Sequence, residues 1–258
     1  MFEILDQLKD TNGEGVRVAI VDSGVDATHS WIGRHLVQSY VVDADEDGRP
    51  SIVESAPDDV NGHGTAVAGQ VRRIASNAEL VSVRILGASR TATSEALITA
   101  LEWLADQDVH VVNMSLSTMR AALALRICHA IDDLCARGTA CVSARLYNKY
   151  GRNYPSSFAS TVGVCEGRMP TGKLRFREGE LVEIEASGVD VEVAWKGGQI
   201  RTVTGSSYAC PIVCGIIARM LSVNPGLRPY EIKSLLRALA LRQEDGWWEP
   251  WMNGVTPA

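Results

Sequence analysis

Three short stretches hold residues able to do chemistry. Val18-Ala19-Ile20-Val21-Asp22-Ser23-Gly24 reads as an apolar strand that ends in a carboxylate and a turn. Asn61-Gly62-His63-Gly64-Thr65-Ala66 sets an imidazole between glycines, at the start of a helix of small residues. Gly205-Ser206-Ser207-Tyr208-Ala209-Cys210-Pro211 runs into Ile212-Val213-Cys214-Gly215-Ile216-Ile217-Ala218, a helix apolar on nearly every face. A helix of that kind belongs in the interior of a domain. Ser207 falls at its N-terminus, where unpaired backbone N–H groups and the helix dipole favour negative charge. That is a good place to develop an oxyanion on a carbonyl attacked by a serine. Pro211 lies near the first turn, where a missing N–H costs least.

Taken singly, each residue has an ordinary reading. Ser207 can cap a helix, Asp22 can close a strand-end turn, and His63 can sit in a helix-start turn. Taken together, aspartate, histidine and serine follow one another in one of the chain orders of a Ser-His-Asp triad. A serine hydroxyl is a poor nucleophile until a base removes its proton. His63 would be that base and later the acid that protonates the leaving amine, with Asp22 fixing its tautomer.

The elements that must position these residues alternate. Apolar strands are expected at 16–22, 37–42, 80–86, 109–114, 139–143 and 161–165. Helical patterns lie at 64–75, 93–106, 121–137, 207–222 and 229–241. Alternation of this kind predicts an α/β fold in three layers, a mainly parallel sheet with helices on both faces. The stretch 172–204, with Leu181-Val182-Glu183-Ile184-Glu185 and Val191-Glu192-Val193-Ala194-Trp195, predicts antiparallel hairpins. With 258 residues, 46% of them hydrophobic, the chain suits a single domain over 1–258, its core at about 16–240, followed by an aromatic tail at 243–258. A net charge of −6 without long single-sign blocks offers no nucleic-acid footprint. No apolar run reaches the expected length of a membrane span.

The three blocks and the text between them resemble the subtilases, the subtilisin-like serine proteases, from about Val16 to about Ala240. Val83-Arg84-Ile85-Leu86-Gly87-Ala88-Ser89, Val109-His110-Val111-Val112-Asn113-Met114-Ser115-Leu116, Tyr154-Pro155 and Ala186-Ser187-Gly188-Val189 follow in the family's order. The resemblance implies a subtilisin-like fold and a serine endopeptidase acting on a peptide or protein substrate, with Asp22, His63 and Ser207 as its triad. It places the walls of the first specificity pocket at Ser115, Leu116 and Ser117 and at Ala144, Arg145 and Leu146, and implies that substrate strands add to exposed edges.

The departures from the family are informative. Aligned without a gap, Tyr147 takes the position of the oxyanion asparagine; with one extra residue, Asn148 does. Asn148 is expected, because an amide donor has a job there. Bulkier residues at Ser117, Arg145 and Leu146, and Arg90-Thr91-Ala92-Thr93 without the usual glycines, narrow what the cleft accepts. The loop Asp43-Ala44-Asp45-Glu46-Asp47-Gly48 with Glu54 has the spacing of a calcium loop. Its strand-like flanks and Pro50 favour an acidic hairpin turn, and no metal is expected to hold the fold. Six cysteines without a Cys-x-x-Cys pair read as buried thiols of a reducing compartment. The N-terminus reads as a short amphipathic helix, not a signal peptide, so a cytoplasmic, selective processing protease is expected, for example one that matures a peptide precursor. A catalytically weak peptide binder on the same fold is the alternative. So is the protease domain of a larger assembly, docked to a partner through Trp247, Trp248 and Trp251.

Overall fold

The computed structural model describes residues 2–145 and 151–244. At its centre is a nine-stranded sheet in the order β3-β2-β4-β1-β5-β6-β7-β9-β8. In chain order the strands are β1 (Arg17–Asp22), β2 (Leu36–Ala44), β3 (Pro50–Glu54), β4 (Glu79–Arg84), β5 (Val111–Met114), β6 (Ala140–Ala144), β7 (Thr161–Gly167), β8 (Leu174–Phe176) and β9 (Ile184–Ser187). Every pairing from β2 through β9 is parallel, and the two edge strands β3 and β8 run antiparallel. A separate two-stranded hairpin joins β10 (Val191–Trp195) to β11 (Gln199–Val203).

The period of two along each strand divides the core between the faces. Val18 and Ile20 of β1 face one layer with α1 (Phe2–Gln7), α2 (His63–Ile74), α5 (Ser206–Val223) and α6 (Pro229–Glu244). Ala19 and Val21 face the other, against α3 (Ser94–Leu104) and α4 (Ala124–Ala136). With both faces covered, the central strands read as apolar runs. This is the three-layer α/β arrangement the alternation predicts.

Helix α5 is the buried axis of the molecule. Its 18 residues match a membrane span in length and apolarity, but it lies largely inside the fold, which accounts for the apolarity. Gly215 brings α5 against α2: a Cβ there would sit 2.5 Å from the Ile74 Cβ. Buried Arg219 donates from Nη1 to the Leu8 carbonyl at 2.8 Å and from Nε to the Ile74 carbonyl, satisfying a free acceptor at the end of α2.

One expectation needs correction and another holds. The stretch 172–204 is not a series of free hairpins. β8 and β9 form an antiparallel pair, but β9 also joins the main sheet in parallel with β7. The strand starts at Ile184, so Leu181, Val182 and Glu183 lie in the connection before it. The acidic loop is a hairpin turn between β2 and β3, with Tyr40 opposite Glu54. Asp45 Oδ1 accepts from the backbone N–H groups of Asp47 and Arg49 at 3.0 and 2.7 Å, so that carboxylate closes the turn. Among the described residues no group of three or more His, Cys, Asp or Glu side chains is placed to hold a metal ion. All six cysteines are free, and Cys141, Cys165, Cys210 and Cys214 are buried.

Candidate active site

Asp22 is the last residue of β1 and is fully buried. Its Oδ1 accepts from the Ser23 backbone N–H at 2.8 Å. His63 is the first residue of α2, and its Nδ1 lies 2.8 and 2.9 Å from the two Asp22 oxygens. A carboxylate accepts only, so Nδ1 carries the proton and Nε2 is left as the base. Burial opposes a charge on the imidazole. The charge of Asp22 and its hydrogen bond outweigh that, and the His63 pKa is raised, with Arg90 lowering it and Asp59 raising it in smaller measure.

The start of α2 is fixed by a residue that sequence reasoning missed. Asp59 is 1% exposed. Its Oδ1 accepts from the Gly62 and Asn61 N–H groups at 2.7 and 2.9 Å and from the Ser23 hydroxyl at 2.8 Å. Its Oδ2 accepts from the Thr65 N–H at 2.8 Å and the Thr65 hydroxyl at 2.7 Å. The Ser23 hydroxyl in turn accepts from the Gly64 N–H at 3.0 Å. One carboxylate thus occupies the positive end of the helix and ties it to the turn after Asp22. An aspartate a few residues ahead of a helix start was the available signal. The glycines beside His63 follow from this closeness: a Cβ on Gly64 would lie 2.0 Å from the Gly24 carbonyl oxygen, and Gly62 adopts φ +110° under the Trp195 indole.

Ser207 is the second residue of α5 and is half-buried. Its Oγ donates to the Ser115 carbonyl at 3.2 Å, and the Ser115 Oγ donates back to the Ser207 carbonyl at 2.8 Å. Asn113 Nδ2 donates to that Ser115 oxygen at 3.0 Å. The segment after β5 is therefore bonded to the start of α5 in both directions. Among the described residues no hydrogen bond joins Ser207 to His63. The next residue, Tyr208, does reach the imidazole, with ring centroids 5.5 Å apart. The neighbouring Ser206 hydroxyl is committed to the Arg145 carbonyl.

The expected pocket walls are partly brought together. Ser115 is buried, its hydroxyl turned to α5, and Leu116 and Ser117 are half-buried beside it. Thr118 exchanges two 2.8 Å backbone hydrogen bonds with Tyr154. Ala144 is buried at the end of β6, and Arg145 leans on Glu180 at 3.7 Å. Leu146, Tyr147 and Asn148 lie outside the described residues, as do Trp247, Trp248 and Trp251. The β10–β11 hairpin, also unforeseen as part of the site, packs Val193 and Trp195 on Ala66 and Tyr208, and Arg201 stacks 4.3 Å over the Trp195 ring.

A strand-end carboxylate, a helix-start imidazole and a serine opening a buried helix thus gather at the C-terminal ends of the central strands β1 and β5. The subtilase family model matches residues 13–249. The chain belongs to the subtilase family. It is 30% identical to an alkaline protease of Alkalihalobacillus alcalophilus over 88% of its own length and 60% of that protein's. It is 30% identical to subtilisin Savinase of Lederbergia lenta over 88% of its length and 84% of the relative's. The crystal structure of a cold-adapted subtilisin-like serine proteinase superposes with a TM-score of 0.73 at 28% identity, covering 89% of this subtilase and 83% of that chain.

Proposed function

We propose that this subtilase is a serine endopeptidase with Asp22, His63 and Ser207 as its catalytic triad. The observation that carries the reading is the Asp22–His63 pair, 2.8 Å apart and buried, beside a serine whose hydroxyl is held by one neutral acceptor. A turn about the Ser207 side chain frees Oγ from the Ser115 carbonyl toward the His63 Nε2. Oγ then attacks the scissile carbonyl carbon as Nε2 takes its proton. The oxyanion forms at the start of α5, where the Ser207 N–H donates to it, and Asn148 supplies the side-chain donor. Collapse expels the amine, which takes the proton from His63, and water repeats the sequence on the acyl-enzyme.

The finer reading is a selective, cytoplasmic processing protease. Its support is the six free cysteines, which suit a reducing compartment, and side chains in place of glycine along the cleft walls. The serine's resting bond to Ser115 instead of His63 favours a second reading, a peptide binder with weak turnover. Incubation with reduced, unfolded casein separates the two. New peptides from the native chain but not from Ser207→Ala support the protease. Binding without cleavage supports the binder.

A further inference from the structure

The molecule carries a net charge of −6, yet a cleft of about 250 Å³ beside the catalytic pair is lined by two arginines and no carboxylate. Arg90 comes from the turn after β4, and Arg120 from the segment after Ser115-Leu116-Ser117. Both side chains are exposed, and neither has a partner among the described residues. Glu95, in the first turn of α3, is already paired with Arg126 at 2.7 Å.

Arg90 is held in an uncommon way. Its φ is +57°, a left-handed conformation in which glycine is at ease and a residue with a Cβ is strained. The turn is closed by Arg90 N–H donating to the Gly87 carbonyl at 2.9 Å and Gly87 N–H donating to the Thr91 carbonyl at 3.1 Å. Asn61 Nδ2 ties it to the start of α2 by donating to the Ala88 carbonyl at 2.8 Å. A strained residue kept where glycine would relax the backbone points to a use for its side chain. Arg90 also lowers the basicity of His63, so its guanidinium stands within electrostatic reach of the imidazole.

We propose that this cleft receives the part of the substrate before the scissile bond and selects aspartate or glutamate side chains there through Arg90 and Arg120. The inference rests on the protease reading for its place along the substrate. Its chemistry is that of a guanidinium fork for a carboxylate. A peptide strand lying between the turn at 87–91 and the segment at 116–120 would present alternate side chains to the two arginines.

The test is to digest a peptide library made from a whole proteome and read the sequences around each cut. Asp or Glu should be enriched at one or more of the positions two to five before the bond, by about two- to fivefold, the scale of one exposed ion pair. Arg90→Gln with Arg120→Gln should erase the enrichment, Arg90→Glu with Arg120→Glu should turn it toward lysine, and Arg137→Gln, a distant surface control, should leave it intact. No acidic enrichment, or enrichment that survives the double substitution, overturns the proposal. If the chain cuts nothing, the protease reading fails separately, and the cleft is then read by binding to Ser207→Ala. Fluorescein-labelled (Glu-Ala)4 should bind more tightly than (Gln-Ala)4 by a similar factor, only while both arginines are present and less so at high salt. Equal binding of the two peptides overturns the selection.

Discussion

Replacing Asp59 by alanine removes the acceptor shared by the N–H groups of Asn61, Gly62 and Thr65 and by the hydroxyls of Ser23 and Thr65. The hydroxyls can turn to other acceptors, but the buried N–H groups cannot. Loss of a helix cap costs about 1–2 kcal/mol, and each buried donor left unpaired adds about 1–3 kcal/mol. Water entering the vacated space recovers part of this, so a net loss of about 3–5 kcal/mol is expected, a large share of a domain's stability of about 5–15 kcal/mol. Asp59→Asn keeps one carbonyl oxygen but turns an amide toward the Thr65 N–H, and should cost about 2 kcal/mol. Urea unfolding in a Ser207→Ala background, where self-digestion is absent, measures both. In the active background the serine should also react more slowly with a fluorophosphonate, because His63 begins the helix that Asp59 anchors. Asp45→Ala, at an exposed turn, is the control and should cost less than about 1 kcal/mol. If Asp59→Ala costs no more than that control and reactivity is unchanged, the carboxylate does not hold the imidazole in place.

Further outcomes follow from the Asp22–His63 pair, the proposed oxyanion donor and the packing at Gly64. Asp22 raises the His63 pKa, so turnover should fall as pH drops through that raised value. Asp22→Asn should move the acid limb to lower pH and cut turnover on the order of 10⁴-fold. The raised pKa also adds stability below the ordinary His value of 6.5, which is lost as pH rises through the folded value, as melting temperatures in a Ser207→Ala background across pH would record. Asn148→Ala should lower turnover on the order of a hundred- to a thousand-fold with little change in KM, the range known for the matching donor of subtilisin, while Tyr147→Phe changes neither; the reverse result would make the phenol the donor. Gly64→Ala, whose Cβ would sit 2.0 Å from a backbone oxygen of Gly24, should destabilise the chain by about 3 kcal/mol or more in urea titration.

Local chemistry made much of this legible in the sequence. β1 ends in Asp22 because an apolar run buried on both faces stops at a carboxylate, and α5 is betrayed by its apolarity on every face. The acidic hairpin between β2 and β3 shows in its turn residues and in Pro50, the first residue of an edge strand. What stayed hidden depends on distant partners. Alternation marks Leu181–Glu185 as extended, but cannot say that β9 pairs in parallel with β7. Asp59 looks like a turn residue, and only the folded chain shows it gathering donors from the turn after β1 and from the start of α2. Trp195 and Tyr208 are apolar residues of unrelated segments until the β10–β11 hairpin brings them together on Ala66. Arg90 reads as one more surface charge; its left-handed backbone is visible only in the structure.

The central claim is that Ser207 is a nucleophile activated by His63 and Asp22. Labelling the native chain with a fluorophosphonate, followed by mass spectrometry of the adduct, tests it most directly. The account predicts a single adduct on Ser207, lost in Ser207→Ala and strongly slowed in His63→Ala. An adduct on Ser206, whose hydroxyl is bonded to the Arg145 carbonyl, or labelling that is indifferent to His63, would contradict it.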